Sequence, residues 1–172
     1  HLGGFRNDKM ISSKNTLLFS YIFYLMGRTE YKVEEFKLRQ IIARWFFMAS
    51  LTGRYTSSPE SALEFDLARF RVVKDADQFV STLERSCEQA MPEDFWAITL
   101  PNDLATSSPV SPSLYAYHAS QVLLDAKALF SNHKVSYLLD PTSRGIKTAV
   151  DRHHLFPKGY LNKLGITEQR DT

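Results

Sequence analysis

The chain has 172 residues, 44% of them hydrophobic and 13% aromatic, with a formal net charge of +2. That length suits one domain with a sizeable core, and the composition excludes an intrinsically disordered chain. The single cysteine, Cys87, excludes an internal disulfide framework and accords with a cytoplasmic setting.

The longest apolar run, Thr16 to Met26, spans eleven residues. A bilayer crossing needs about twenty, and the flanks of a signal peptide are missing, so no membrane partner is expected. The chain starts His1-Leu2-Gly3-Gly4 and stops on Glu168-Gln169-Arg170-Asp171-Thr172. Both ends read as cuts through a longer protein. Charge is unevenly placed: from Arg144 onward there are six Lys/Arg against three Asp/Glu, so this tail is +3 and the preceding 143 residues are −1. A basic bias there suits a phosphate-bearing partner.

The pattern predicts a mainly α fold, a bundle of about five main helices. Ser12 and Ser13 are N-caps for a first helix to about Arg28, which Gly27 helps to end. Leu17, Leu18, Tyr21, Ile22, Leu25 and Met26 recur at helical spacing in it, with Phe19, Phe23 and Tyr24 on the flanks, so it should lie centrally. A second helix runs from Val33 to Thr52, burying Leu38, Ile41, Ile42, Trp45, Met48 and Ala49, and Gly53 stops it. The aromatic cluster Trp45-Phe46-Phe47 is core packing rather than a ligand box. Ser57 or Ser58 as N-cap, Pro59 in the first turn and Glu60 at the positive end start a third helix to Arg71, with Leu63, Leu67 and Phe70 inward. Arg54 and Tyr55, just ahead of it, pin the turn to the core.

Asp75 or Asp77 caps a fourth helix, Gln78 to Ala90, with Phe79, Val80, Leu83 and Cys87 on its apolar side. Cys87 there is a small buried hydrophobe. A short helix at Glu93 to Ile98 precedes a turn at Leu100-Pro101-Asn102-Asp103, and Thr106 to Pro112 is a loop. Ser111-Pro112 launches a fifth helix to Phe130, with Tyr117, Val122, Leu123, Ala126 and Phe130 inside and His118 in a packing or surface role. Val135 to Leu139 is a short helix closed by Asp140-Pro141. A polar loop, Thr142 to Lys147, leads to a β-prone run, Thr148-Ala149-Val150. A last helical segment, Lys158 to Leu164, is stopped by Gly165.

Between that run and that helix lies Asp151-Arg152-His153-His154-Leu155-Phe156-Pro157. Signatures of phosphate-binding loops, dinucleotide folds, serine hydrolases and zinc proteases are absent. Adjacent side chains on a strand face opposite ways, but a turn at the strand end relaxes that. One imidazole can then hold a divalent cation while the other faces a bound water. A neutral imidazole is a competent general base at neutral pH. Pro157 ends the loop rigidly and Gly159 allows close approach.

The run His153-His154-Leu155-Phe156-Pro157-Lys158-Gly159-Tyr160-Leu161 resembles the first half of an HNH, or ββα-metal, nuclease motif. It is most similar to the module closing the GmrSD-like, modification-dependent restriction endonucleases. The region preceding that module is also similar, through Arg44-Trp45-Phe46, Gly53-Arg54-Tyr55, Ser58-Pro59-Glu60, Asp66-Leu67 and Leu138-Leu139-Asp140-Pro141.

The resemblance implies that His154 is the general base activating water and that His153 is the first metal ligand. The metal implied is Mg²⁺ or Mn²⁺, with Zn²⁺ or Ni²⁺ also suited to imidazole. Arg152, Lys158 and Lys147 are candidate nucleic-acid contacts. DNA is the implied substrate, hydrolysed at its phosphodiesters in restriction of phage or other foreign DNA. The implied partner is an amino-terminal nucleotide-hydrolysing domain of the same protein, whose Asp-Gly-Gln-Gln-Arg motif does not occur here.

The family's second half supplies an Asn and a final His or Asn, and no such residues follow Ile166 in this sequence. The expected organisation is a helical domain, 1–143, and an incomplete nuclease motif, 144–172. The alternative is a non-catalytic helical module that binds DNA or couples domains in a larger defence protein. Residues 1–172 alone are therefore expected to nick supercoiled plasmid poorly or not at all with Mg²⁺ or Mn²⁺. Nicking at an ordinary enzymatic rate would contradict that reading of the motif.

Overall fold

The computed structural model describes residues 3–105, 110–140 and 156–166, the side chain of Lys158 excepted. Secondary structure among these residues is helical, with no strand. After a 3-10 turn at Asp8–Met10 come α1 (Lys14–Thr29), α2 (Glu35–Leu51) and α3 (Pro59–Ala68), which tightens into a 3-10 turn at Arg69–Val72. Next are α4 (Ala76–Ala90), a π-helical turn (Phe95–Thr99) that passes into α5 (Leu100–Leu104), and α6 (Pro112–Leu123). Two short helices, α7 (Val135–Leu138) and α8 (Lys158–Lys163), complete the described chain. No helix among the described residues is long and apolar enough to cross a membrane.

Several helix starts follow their capping chemistry. The Asp75 carboxylate accepts from the Gln78 amide at 2.8 Å, and the Ser111 hydroxyl accepts from Leu114 at 3.1 Å. Glu34 caps α2 by accepting from the Phe36 and Lys37 amides, each at 2.9 Å, and these bonds hold its carboxyl below its usual range. Ser58 precedes Pro59 at the start of α3 without a side-chain bond of its own.

The central element is α2, which packs against α1, α4 and α6. Its Leu38, Ile41, Trp45, Met48 and Ala49 meet Phe19 and Phe23 of α1, Phe70, and Phe79, Val80, Leu83 and Cys87 of α4 in one core. Phe23 sets its ring edge against Trp45 at 5.1 Å and lies 5.3 Å from Phe70.

Three expectations are corrected. First, α1 is not central and its buried stripe is Thr16, Phe19, Ser20, Phe23 and Gly27, whereas Leu17, Leu18, Tyr21 and Leu25 are exposed. A helix apolar all round gives no phase by periodicity; steric fit chooses the face. Gly27 lies inside the helix rather than ending it, and a Cβ there would stand 2.5 Å from Leu38 Cδ1 and 2.9 Å from Phe79 Cε1. Only glycine admits that approach.

Second, α6 stops at Leu123, and Tyr117, Leu123 and Phe130 are exposed; the buried face is Ser113, Ala116 and Ala119. Asp125 takes a left-handed conformation (φ 53°), and the Ala126 amide turns back to the Gln121 carbonyl at 2.9 Å, which closes the helix. Small residues form the packed face because they let α6 approach α2.

Third, the expected turn at Leu100 to Asp103 is helical. Pro101 is the second residue of α5, which continues directly from the π-helical turn at Phe95–Thr99.

Among the described residues, one charged side chain is wholly buried. Asp66 of α3 accepts from Arg54 Nε at 2.8 Å, from Arg54 Nη2, and from the Tyr55 hydroxyl at 2.6 Å. Tyr55 presents its ring edge to Phe19 at 4.8 Å, and its carbonyl accepts from Ser13 Oγ at 2.9 Å. Burial, and then the neighbouring Asp66 carboxylate, raise the Tyr55 hydroxyl pKa. Removing one member of a buried pair strands the other, at a cost of about 3–5 kcal/mol. Asp66→Ala should lose about that much in urea unfolding, and Tyr55→Phe about 1–3 kcal/mol; a loss under about 1 kcal/mol for Asp66→Ala would show that the network contributes little.

Candidate functional site

Most of the candidate residues read from the sequence fall between Asp140 and α8. His153, His154, Arg152 and Lys147 lie outside the described residues, as does the β-prone run before them. Lys158 is the first residue of α8, and its side chain is not described.

Downstream of the histidines the chain enters a helix. Phe156 and Pro157 are exposed, and Pro157 takes an extended conformation (φ −57°, ψ 135°) that hands the chain directly into α8. The Phe156 ring stacks on Tyr160 at 6.4 Å with 29° between planes, bracing the entry to the helix. Gly165 closes α8 with φ 77°: its amide donates to Asn162 at 3.1 Å and that of Ile166 to Leu161 at 3.0 Å. The predicted Lys158 to Leu164 segment and its glycine stop match this helix to within a residue. Among the described residues, a Cβ at Gly159 would meet nothing within 4 Å.

The upstream edge is anchored. Arg6 forms an ion pair with Asp140 at 3.0 Å, and the Asn7 side-chain amide donates to the Leu139 carbonyl at 2.9 Å. The amino-terminal segment thus holds the chain where it leaves α7.

No group of three or more His, Cys, Asp or Glu able to hold a metal occurs among the described residues. His118 and His133 have ordinary surroundings. His118 is half-buried with Nδ1 3.2 Å from Gln121 Oε1, and His133 is exposed and stacked on Tyr137 at 6.4 Å. Arg54 and Tyr55 turn inward to Asp66, the pinning role expected of them. Trp45 is buried, and Phe46 and Phe47 pack against Phe5.

Asp66 is the polar residue that pattern reading passed over. It stands three positions after Leu63 and four before Phe70, on the inward face of α3, so the signal was a carboxylate at a core position.

No protein-family model, no curated protein and no solved structure matches this chain.

Cys87 is fully buried, and burial pushes its thiol pKa up to about 11. A protonated, enclosed thiol is a poor nucleophile. Native protein should therefore resist aromatic disulfide reagents and react stoichiometrically once unfolded in guanidinium; fast labelling of the folded protein would place Cys87 at an accessible site instead.

Proposed function

We propose that this chain belongs to a metal-dependent DNA endonuclease of the HNH type, acting in restriction of foreign DNA. The observation that carries the reading is the order His153-His154-Leu155-Phe156-Pro157 directly ahead of α8. A helix that begins soon after two neighbouring imidazoles is a setting in which both could be turned to one substrate. The Phe156 ring stacks on Tyr160 at the entry to that helix.

In this proposal His154 accepts a proton from water as the water oxygen bonds to phosphorus. The bond from phosphorus to the leaving sugar oxygen breaks, and solvent protonates that oxygen. Positioned general bases contribute about 10²- to 10⁴-fold. A divalent cation, when bound, stabilises charge on the phosphoryl oxygens. His153 is its proposed first ligand. Arg152, Lys147 and Lys158 would meet backbone phosphates.

A second reading rests on a different observation. The exposed Leu17, Tyr21 and Leu25 of α1 lie beside an open groove of about 410 Å³, which Leu17 and Tyr21 line together with Phe5, Ile42 and Phe46. An apolar face of this kind suits the docking of another domain, as a coupling module would require.

In the protein that contains this chain, His154→Ala should lower cleavage at least about 100-fold while DNA affinity changes less than about twofold. If cleavage persists, or falls only in step with affinity, the nuclease assignment fails and the coupling reading takes its place.

A further inference from the structure

The connection between α6 and α7 carries two features that folding alone disfavours. It is a fastened loop: the Ala128 amide donates to His133 O and that of Val135 to Ala126 O, both at 2.9 Å, and the Ser131 amide reaches Ala128 O at 3.1 Å. The His133 amide donates to Ser131 Oγ at 3.0 Å. This closure sets Lys127 directly opposite Lys134 in an antiparallel bridge. Like charges facing each other across such a pair repel. Asp125 neutralises Lys134 at 2.7 Å, whereas Lys127 has no ion pair among the described residues. The base of the loop therefore keeps an uncompensated positive charge.

The tip is the second feature. Leu129 and Phe130 are 72% and 92% exposed, and Phe130 is held at φ 59°. A bulky side chain seldom takes that left-handed conformation, and it persists only where the surroundings impose it. The backbone bonds impose it here, and they hold the ring in water instead of against the core.

A polyanion with stackable faces would relieve both. Lys127 at the base would meet a phosphate, and an apolar ring at the tip could pry neighbouring base pairs apart, as wedge residues do in the minor groove. We propose that Phe130 is a wedge that enters duplex DNA between adjacent base pairs, with Lys127 against a flanking phosphate. This rests on DNA being the partner, as proposed above.

The test is equilibrium binding of the full-length protein to a short duplex carrying 2-aminopurine, with metal chelated so that nothing is cut. Phe130→Ser should weaken binding on the order of tenfold, abolish the fluorescence rise of the unstacked base and leave the salt dependence unchanged. Lys127→Gln should instead reduce the slope of log K against log salt by about one. Phe130→Trp should restore the fluorescence rise. The unfolding temperature of Phe130→Ser should not fall.

Unchanged affinity and base fluorescence in Phe130→Ser would overturn the wedge. So would a loss confined to anionic phospholipid vesicles, with duplex binding intact. His154→Ala separates this from the nuclease reading. A His154→Ala protein that still unstacks the base but cuts normally sinks the catalytic assignment alone, and wild-type protein that binds no duplex sinks both.

Discussion

The buried carboxylate of Asp66 is the constraint on which this bundle depends. A charge with no solvent exposure is tolerated only when its oxygens are filled, and here both accept from Arg54 while Tyr55 adds a third bond. Those donors sit in the turn after α2, so the bond set ties α3 to the end of the central helix. Ser13 and Phe19 extend the tie to α1. The Arg54 guanidinium also lies 5.8 Å over the Trp45 ring, joining the charged centre to the hydrophobic one. Geometry of this kind specifies where α3 docks more sharply than apolar contact could.

Close approach is the second organising feature. Gly27 lets α1 settle on Leu38 and Phe79, and Ser113, Ala116 and Ala119 let α6 settle on the other side of α2. Where small residues face inward, large ones are left outside. That is why Leu17, Leu18 and Tyr21 of α1 and Tyr117 and Leu123 of α6 meet solvent.

Much of the fold is legible in the sequence. The stripe of α2, the Asp75 cap and apolar side of α4, the Pro59 start of α3 and the glycine stop of α8 each rest on one local rule that the tertiary structure respects. The misses share a cause. In α1 apolar residues occupy most positions, so periodicity carries no phase, and the choice of face is made by fit to α2. In α6 the apolar positions continue past Leu123, but Asp125 in a left-handed conformation ends the helix, and nothing local marks that residue as a stop. Asp66 was hidden for the opposite reason: a charged residue is ordinarily assigned outward, and only its partners explain why it turns in.

The functional claim is narrower and stands on fewer residues. Helix α8 begins at Lys158, directly after Pro157, and the Arg6–Asp140 and Asn7–Leu139 contacts fix the chain where it leaves α7. Between those points, the proposed nuclease needs two imidazoles that share one cation-and-water centre. Titrating Mn²⁺ into protein labelled with ¹⁵N-histidine tests this directly, since even a weakly held paramagnetic ion broadens nearby ring signals. His153 and His154 should broaden together and well before His1, His118 and His133. Uniform broadening of all five histidines, or loss of His118 or His133 first, would contradict it.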